Sequence, residues 1–284
     1  MRAYFPHYNL QRPASLQEGL QWLHERPGHF RPLAGGTDLM VLFNAGKLAA
    51  GDFLDISRFS ELQGIEVSPA QVRLGALVTY SEILQHPVLK EHFPNLVQAA
   101  FWTGAAAIQN RGTLGGNAAN ASPAADTPPA LLSYGAQIEL VSLQGRRSLD
   151  YAQFHLDYKK TAMRPDELIA TLVVPRSQGR CFHFYRKVGT RKAQAISKVC
   201  LAGCVDGGRV RLGFGAVAPV PAACPRLSEA LTQLGRNPLN AEIRQILHQE
   251  VTPIDDIRSN REYRSRVAEN LLDQMWSEYL KWSP

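Results

Sequence analysis

The chain reads as an α+β protein of three successive units, and three observations carry that reading. First, a short apolar run over 30–34 enters the turn Ala34-Gly35-Gly36-Thr37-Asp38, and 39–45 then has helical character. Second, between 59 and 174 short strands bracket helical segments, with hairpin-like joints at Ser68-Pro69 and Gln144-Gly145. Third, beyond 175 three strand-like runs precede three helical ones. The boundaries drawn from this are 1–58, 59–174 and 175–284. At 284 residues the chain is long enough for two or three domains with a sizeable core.

In the first unit Ser15-Leu16-Gln17-Glu18 is a capping box, and Leu16, Leu20 and Leu23 give the helix after it an apolar stripe. Pro27-Gly28 ends that helix. A strand over 30–34, a helix over 39–45 and a strand over 53–56 follow. In the second unit 64–67 and 72–75 form a hairpin, and Thr79-Tyr80-Ser81-Glu82 is another capping box. A helix spans 94–102, and an irregular stretch from Gly104 leads to Thr113-Leu114-Gly115-Gly116-Asn117. Asp126 stands before Pro128-Pro129 as the start of a helix ending at Gly135. Strands over 136–142, 146–149 and 167–174 close the unit. In the third, strands over 182–188, 199–205 and 209–216 precede helices over 227–234, 240–250 and 261–280.

Composition narrows function. Hydrophobic residues make up 45% and charged residues 20%, as in soluble globular chains. No run approaches the roughly 18 apolar residues of a membrane span. Residues 1–8 lack an export-signal pattern, so a cytoplasmic location is expected. The net charge of +6 is dispersed, without a nucleic-acid-binding motif, and suits an anionic ligand or an acidic partner surface. Cys181, Cys200, Cys204 and Cys224 form no C-x-x-C pair, and the eight histidines no metal-ligand spacing, so no metal site is predicted. Cys200 and Cys204 share one face of their strand as buried thiols.

The two glycine segments are the candidate site. A lone glycine pair is an ordinary turn, but both pairs here carry Thr and an amide or acid. Glycines let backbone N–H groups approach an anion unobstructed, and successive N–H groups form a concave anion site. Two such loops could hold both halves of a diphosphate. Gly213-Phe214-Gly215-Ala216-Val217-Ala218 fits a loose dinucleotide pattern, yet Pro219 and Pro221 forbid the helix it needs, so it reads as a strand end. Asp126 either caps its helix or accepts hydrogen bonds from a ribose or adenine. Strand alternation sets Lys187 with Tyr185, either in solvent or near a flavin or phosphate. No triad or close carboxylate pair suggests a catalytic side chain.

Together these residues resemble the FAD-binding medium subunit of the molybdenum hydroxylase family, which includes xanthine and carbon monoxide dehydrogenases. The likeness runs in order through Pro32-Leu33-Ala34-Gly35-Gly36-Thr37-Asp38-Leu39, Thr113-Leu114-Gly115-Gly116-Asn117, Ala121-Ser122-Pro123-Ala124-Ala125-Asp126, Tyr185-Arg186-Lys187-Val188-Gly189-Thr190-Arg191 and Gly213-Phe214-Gly215-Ala216-Val217-Ala218-Pro219. The resemblance implies a two-subdomain FAD-binding fold of the vanillyl-alcohol-oxidase type followed by an α+β C-terminal domain. It implies that 32–39 wraps the FAD diphosphate, that 113–117 opposes it, and that Asp126 lies near the ribose or adenine. It places Ile169 against the flavin and Lys187 near it. It further implies a 2Fe–2S partner, a larger molybdopterin-binding partner and NAD or another electron acceptor. Many relatives carry acidic residues where this chain has Lys192-Ala193-Gln194-Ala195, which leaves the acceptor open. A self-contained FAD oxidoreductase and a structural subunit without FAD are the competing readings.

Overall fold

A computed structural model describes residues 7–192 and 194–283. Residues 1–6, part of the segment read for an export signal, and Ala193 of the departing segment lie outside the described residues.

The first sheet contains β1 (Tyr8–Gln11), β2 (Phe30–Leu33) and β3 (Gly51–Asp55), with α1 (Leu16–Glu25) and α2 (Thr37–Asn44) in the connections. Its order is β1-β3-β2, and both pairings are parallel. Ser15 Oγ accepts the Glu18 N–H at 3.1 Å, as predicted. The Glu18 carboxylate takes the Ala14 N–H instead of that of Ser15, so only half of the capping box forms. Leu16, Leu20 and Leu23 are buried against Phe30, Leu54 and Phe59.

The second sheet has the order β4-β5-β10-β6-β7. β4 (Ile65–Val67) and β5 (Gln71–Gly75) form the expected hairpin, followed by α3 (Tyr80–Gln85), α4 (Pro87–His92) and α5 (Pro94–Trp102). Thr79 and Glu82 close a complete capping box. The stretch from Gly104 expected to be irregular contains α6 (Ala106–Gln109), and the second glycine segment itself opens α7 (Leu114–Asn120). Thr113 caps α7, its alanines are good helix formers, and Ala121 ends it in the left-handed region at φ 48°. α8 (Thr127–Ser133) leads to the hairpin of β6 (Gln137–Ser142) and β7 (Gly145–Asp150). A separate two-stranded sheet, β8 (His155–Asp157) and β9 (Lys160–Thr161), precedes the central strand β10 (Leu168–Pro175). β10 is antiparallel to both neighbours and is buried along its length up to Pro175.

The third sheet, β11 (Phe182–Val188), β12 (Val199–Asp206) and β13 (Arg209–Gly215), is antiparallel in chain order. One face, with Val199, Leu201 and Val205, packs with residues of α9 (Pro225–Leu234), α10 (Ala241–Glu250) and α11 (Arg261–Lys281) around Met275 and Trp276. The other face, with Tyr185, Cys200, Ala202 and Cys204, joins the core of the preceding sheet and its helices. Cys200 and Cys204 therefore share a face, as alternation required. The glycines of Gly213-Phe214-Gly215 serve packing. A Cβ at Gly213 would collide with the Pro129 carbonyl oxygen of α8. No helix of the described residues is long and apolar enough to cross a membrane.

Two histidines are held neutral by burial. His155, beside the Tyr151 hydroxyl at 3.1 Å, and His183, beside the Tyr134 hydroxyl at 3.3 Å, have pKa values pushed down to about 4. A folded pKa below the unfolded value near 6.5 means that the unfolded chain binds protons first. Their stabilising contribution is complete above about pH 6.5 and is lost as pH falls toward 4. Urea denaturation at pH 7 and pH 5 should show a loss of about 1–2 kcal/mol for each histidine. His155→Phe should flatten the profile, and an unchanged slope in that variant would contradict the assignment.

Candidate cofactor site

The site begins where β2 runs out. Leu33 accepts the Ile56 N–H, Ala34 and Gly35 cross toward the second unit, and Gly36 starts α2 in the left-handed region at φ 74°. The two glycines do different work. A Cβ on Gly35 would strike the Arg111 carbonyl oxygen, so Gly35 lets this loop lie directly on the backbone before Thr113. Gly36 is needed for its conformation, and a Cβ there would meet only Leu33 Cδ1 at 3.3 Å. Gly36 offers no side chain to cap α2. Among the described residues the N–H groups of Gly35, Gly36, Thr37, Asp38 and Leu39 have no acceptor. They are the free donors of a helix start extended back into a glycine turn, which is an anion cradle.

The second glycine segment is built differently. The Leu114 N–H bonds Val78 O and the Gly115 N–H bonds Ala76 O, each at 2.8 Å. Thr113 Oγ1 takes the Gly116 N–H at 3.1 Å and Thr113 O takes the Asn117 N–H at 2.9 Å. The amides from Leu114 to Asn117 are therefore spent inside the protein, which corrects the expectation of two equivalent N–H nests. Gly115 packs on Ala76, where a Cβ would lie 2.6 Å from the Ala76 Cβ. A Cβ on Gly116 would lie 2.7 Å from Thr113 Oγ1, the atom that caps the helix.

Between the segments lies a cleft of about 420 Å³. Pro32 and 34–39 line one side, and Thr113, Gly116, Asn117 and Asn120 line the other. Leu33, Leu114 and Gly115 are not among its lining residues. A smaller polar cavity of about 290 Å³, with Ser57, Asn110 and Arg111, adjoins it across Gly35 and Thr113.

Tyr80 also lines the cleft, and sequence reasoning used it only as a neighbour of a helix cap. Its ring is buried and its hydroxyl bonds the Asn117 side chain, which in turn accepts the Thr127 hydroxyl. Burial, followed by the Asp38 and Asp126 carboxylates, pushes the phenol pKa up, so Tyr80 stays neutral. No local pattern around Tyr80 marks this role.

Asp126 and Lys187 meet. Lys187 Nζ lies 2.6 Å from Asp126 Oδ2 and donates to Trp102 O at 3.0 Å. Ser197 Oγ donates to Asp126 Oδ1 at 2.8 Å, and the Tyr185 hydroxyl donates to Asp126 O at 3.1 Å. Both charged side chains are under a tenth exposed. Burial pushes the Asp126 carboxyl up, and Lys187 with Ser197 pulls it back. The Asp126 side chain makes no cap bond to α8, which corrects that expectation. Tyr185 and Lys187 share a face, as alternation required. Asp126 does not line the cleft. Lys187 lines a separate cavity of about 400 Å³ with Trp102 and the loop from Val188 to Lys192. Ile169 sits at the β10 bulge, buried in the core and away from the cleft.

The five donors of the first loop have the chemistry to hold a diphosphate, and comparison with known proteins identifies the chain's cofactor. Residues 6–177 match the family model described as the FAD binding domain in molybdopterin dehydrogenase. Residues 183–279 match the CO dehydrogenase flavoprotein C-terminal domain. The glyceraldehyde dehydrogenase medium chain of Sulfolobus acidocaldarius is 31% identical, over 97% of this chain and 99% of its own length. The xanthine dehydrogenase FAD-binding subunit of Escherichia coli O157:H7 is 28% identical over 96% of each chain. A solved chain of carbon monoxide dehydrogenase from Hydrogenophaga pseudoflava superposes with a TM-score of 0.87 at 23% identity, covering 95% of this chain and 96% of that one, and shows a shared fold. The chain belongs to the FAD-binding subunits of the molybdenum hydroxylase family, and FAD is its cofactor.

Proposed function

We propose that the chain is the electron-transfer subunit of a cytoplasmic heterotrimeric molybdenum hydroxylase, resembling xanthine dehydrogenase. Electrons arrive from a 2Fe–2S subunit and leave to NAD or another acceptor, while substrate is hydroxylated on a separate molybdopterin-binding subunit. FAD, when bound, supplies the redox chemistry, and the protein supplies binding and electrostatics. Gly35, Gly36, Thr37, Asp38 and Leu39 seat the diphosphate through the free amides of the turn, and Pro32, Leu33 and Ala34 lead β2 into it. Thr113, Gly116 and Asn117 form the opposing wall, and Leu114 and Gly115 anchor it to the backbone of Val78 and Ala76. Asp126, Ile169 and Lys187 do not line that cleft, and the family resemblance assigns them to the ribose or adenine and the flavin ends of the cofactor beyond it.

The observation that carries this reading is the row of five unpaired N–H groups facing a capped, packed helix start across one cleft. Neither glycine segment contains a His or Cys as an attachment point, so FAD should be held non-covalently. Acid precipitation should leave all flavin in the supernatant, and flavin retained in the pellet would contradict this. The assembly is tested by purification from the native host with analysis for iron and molybdenum. The expected result is co-purification with both metals. A lone flavoprotein that turns over an organic substrate at an ordinary enzymatic rate favours the self-contained oxidoreductase instead.

A further inference from the structure

The two-residue turn between β8 and β9 carries Lys159 at its second position with φ 59°, the left-handed conformation that such a tight turn takes there. Its ammonium donates to both Asn120 O and Asn120 Oδ1 at 2.7 Å. Asn120 is the last residue of α7 and lines the cleft. The adjacent Lys160 has a carboxylate, Asp157, at 3.6 Å. Lys159 has no ion-pair partner among the described residues, and its bonded partners are neutral oxygens. Desolvation lowers its pKa, and the Asp38 carboxylate raises it in part. Asp38 stands at the start of α2, within the row of unpaired amides. An exposed ammonium, held by neutral oxygens beside a cleft rich in N–H donors, is a cation available to an anion.

We propose that Lys159 is the cationic arm of this cofactor site, held by Asn120 at the cleft rim to pair with the phosphates seated on the amides of the first glycine loop. The proposal rests on the FAD reading above. A diphosphate brings two negative charges next to Asp38, and neutral amides alone do not offset them. Lys159 supplies the compensating charge from the opposite side of the cleft. Its bonds to Asn120 fix the ammonium before the ligand arrives, which lowers the ordering cost of binding.

The same bonds also cap the C-terminal end of α7, so the test must separate the two roles. FAD and riboflavin, which lacks the phosphates, are titrated against the full chain stripped of flavin, as wild type, Lys159→Met and Lys159→Arg. Thermal unfolding of each is followed without ligand. Lys159→Met should weaken FAD at least tenfold, leave riboflavin affinity within twofold, and leave the ligand-free midpoint near wild type. Lys159→Arg should recover most of the FAD affinity. Equal losses for FAD and riboflavin, or no loss for either, overturn the proposal. So does an FAD loss that follows a falling ligand-free midpoint, because Lys159 is then only a helix cap. A wild-type chain that takes up no FAD overturns the cofactor reading and the Lys159 proposal together.

Discussion

Gly36→Val should abolish FAD binding, with the dissociation constant rising at least a hundredfold, while the chain still folds. Gly36 holds the turn at φ 74° and contributes one of the five free amides. A β-branched side chain avoids the left-handed region, so the turn relaxes and the amides lose their common focus. The strain on the ligand-free fold is about 1–2 kcal/mol, a modest share of a domain's stability. Gly35→Ala should fail in the opposite manner, because its Cβ would meet the Arg111 carbonyl oxygen and force the first and second units apart. Gly116→Val should also lose FAD, but by displacing Thr113 from its capping position. Flavin occupancy after dialysis and far-ultraviolet circular dichroism separate the outcomes. Wild-type occupancy in Gly36→Val would show that the turn is an ordinary one.

Lys187→Met should destabilise the chain by about 3–5 kcal/mol, the usual cost of leaving one member of a buried ion pair alone. Asp126 then remains buried, with Ser197 as a remaining side-chain donor. Protonation of the abandoned carboxyl relieves part of the penalty, so the loss should shrink as pH is lowered. In the double variant Asp126→Asn with Lys187→Met, no buried charge is left, and most of the stability should return. Denaturant unfolding of both single variants and the double variant gives the coupling directly. Additive losses would mean that the two side chains do not act as a pair.

What the sequence discloses is local. The turn after β2, the hairpins and the strands of the third sheet follow from alternation and turn chemistry within a few residues of one another. The common face of Tyr185 and Lys187 follows in the same manner. What it hides is set at long range. β1 is short and polar, and exists because β3 pairs alongside it. The two glycine pairs look alike in sequence. They differ because the carbonyls of Ala76 and Val78 take the N–H groups of Gly115 and Leu114, while among the described residues none takes those of Gly35 and Gly36. Asp126 has the local signature of a helix cap, but Lys187, far along the chain, holds its carboxylate. Tyr80 reaches the cleft only because the backbone at Gly112 passes against its ring.

The proposed relay is tested most directly by following flavin absorbance anaerobically in the isolated chain and in the reassembled complex. The isolated chain should bind FAD and keep it oxidised when offered the organic substrates of molybdenum hydroxylases. Addition of the reduced 2Fe–2S subunit should bleach the flavin, and addition of the acceptor should restore its colour. Bleaching of the isolated chain by an organic substrate, at a rate that the partner subunits do not change, would contradict the account.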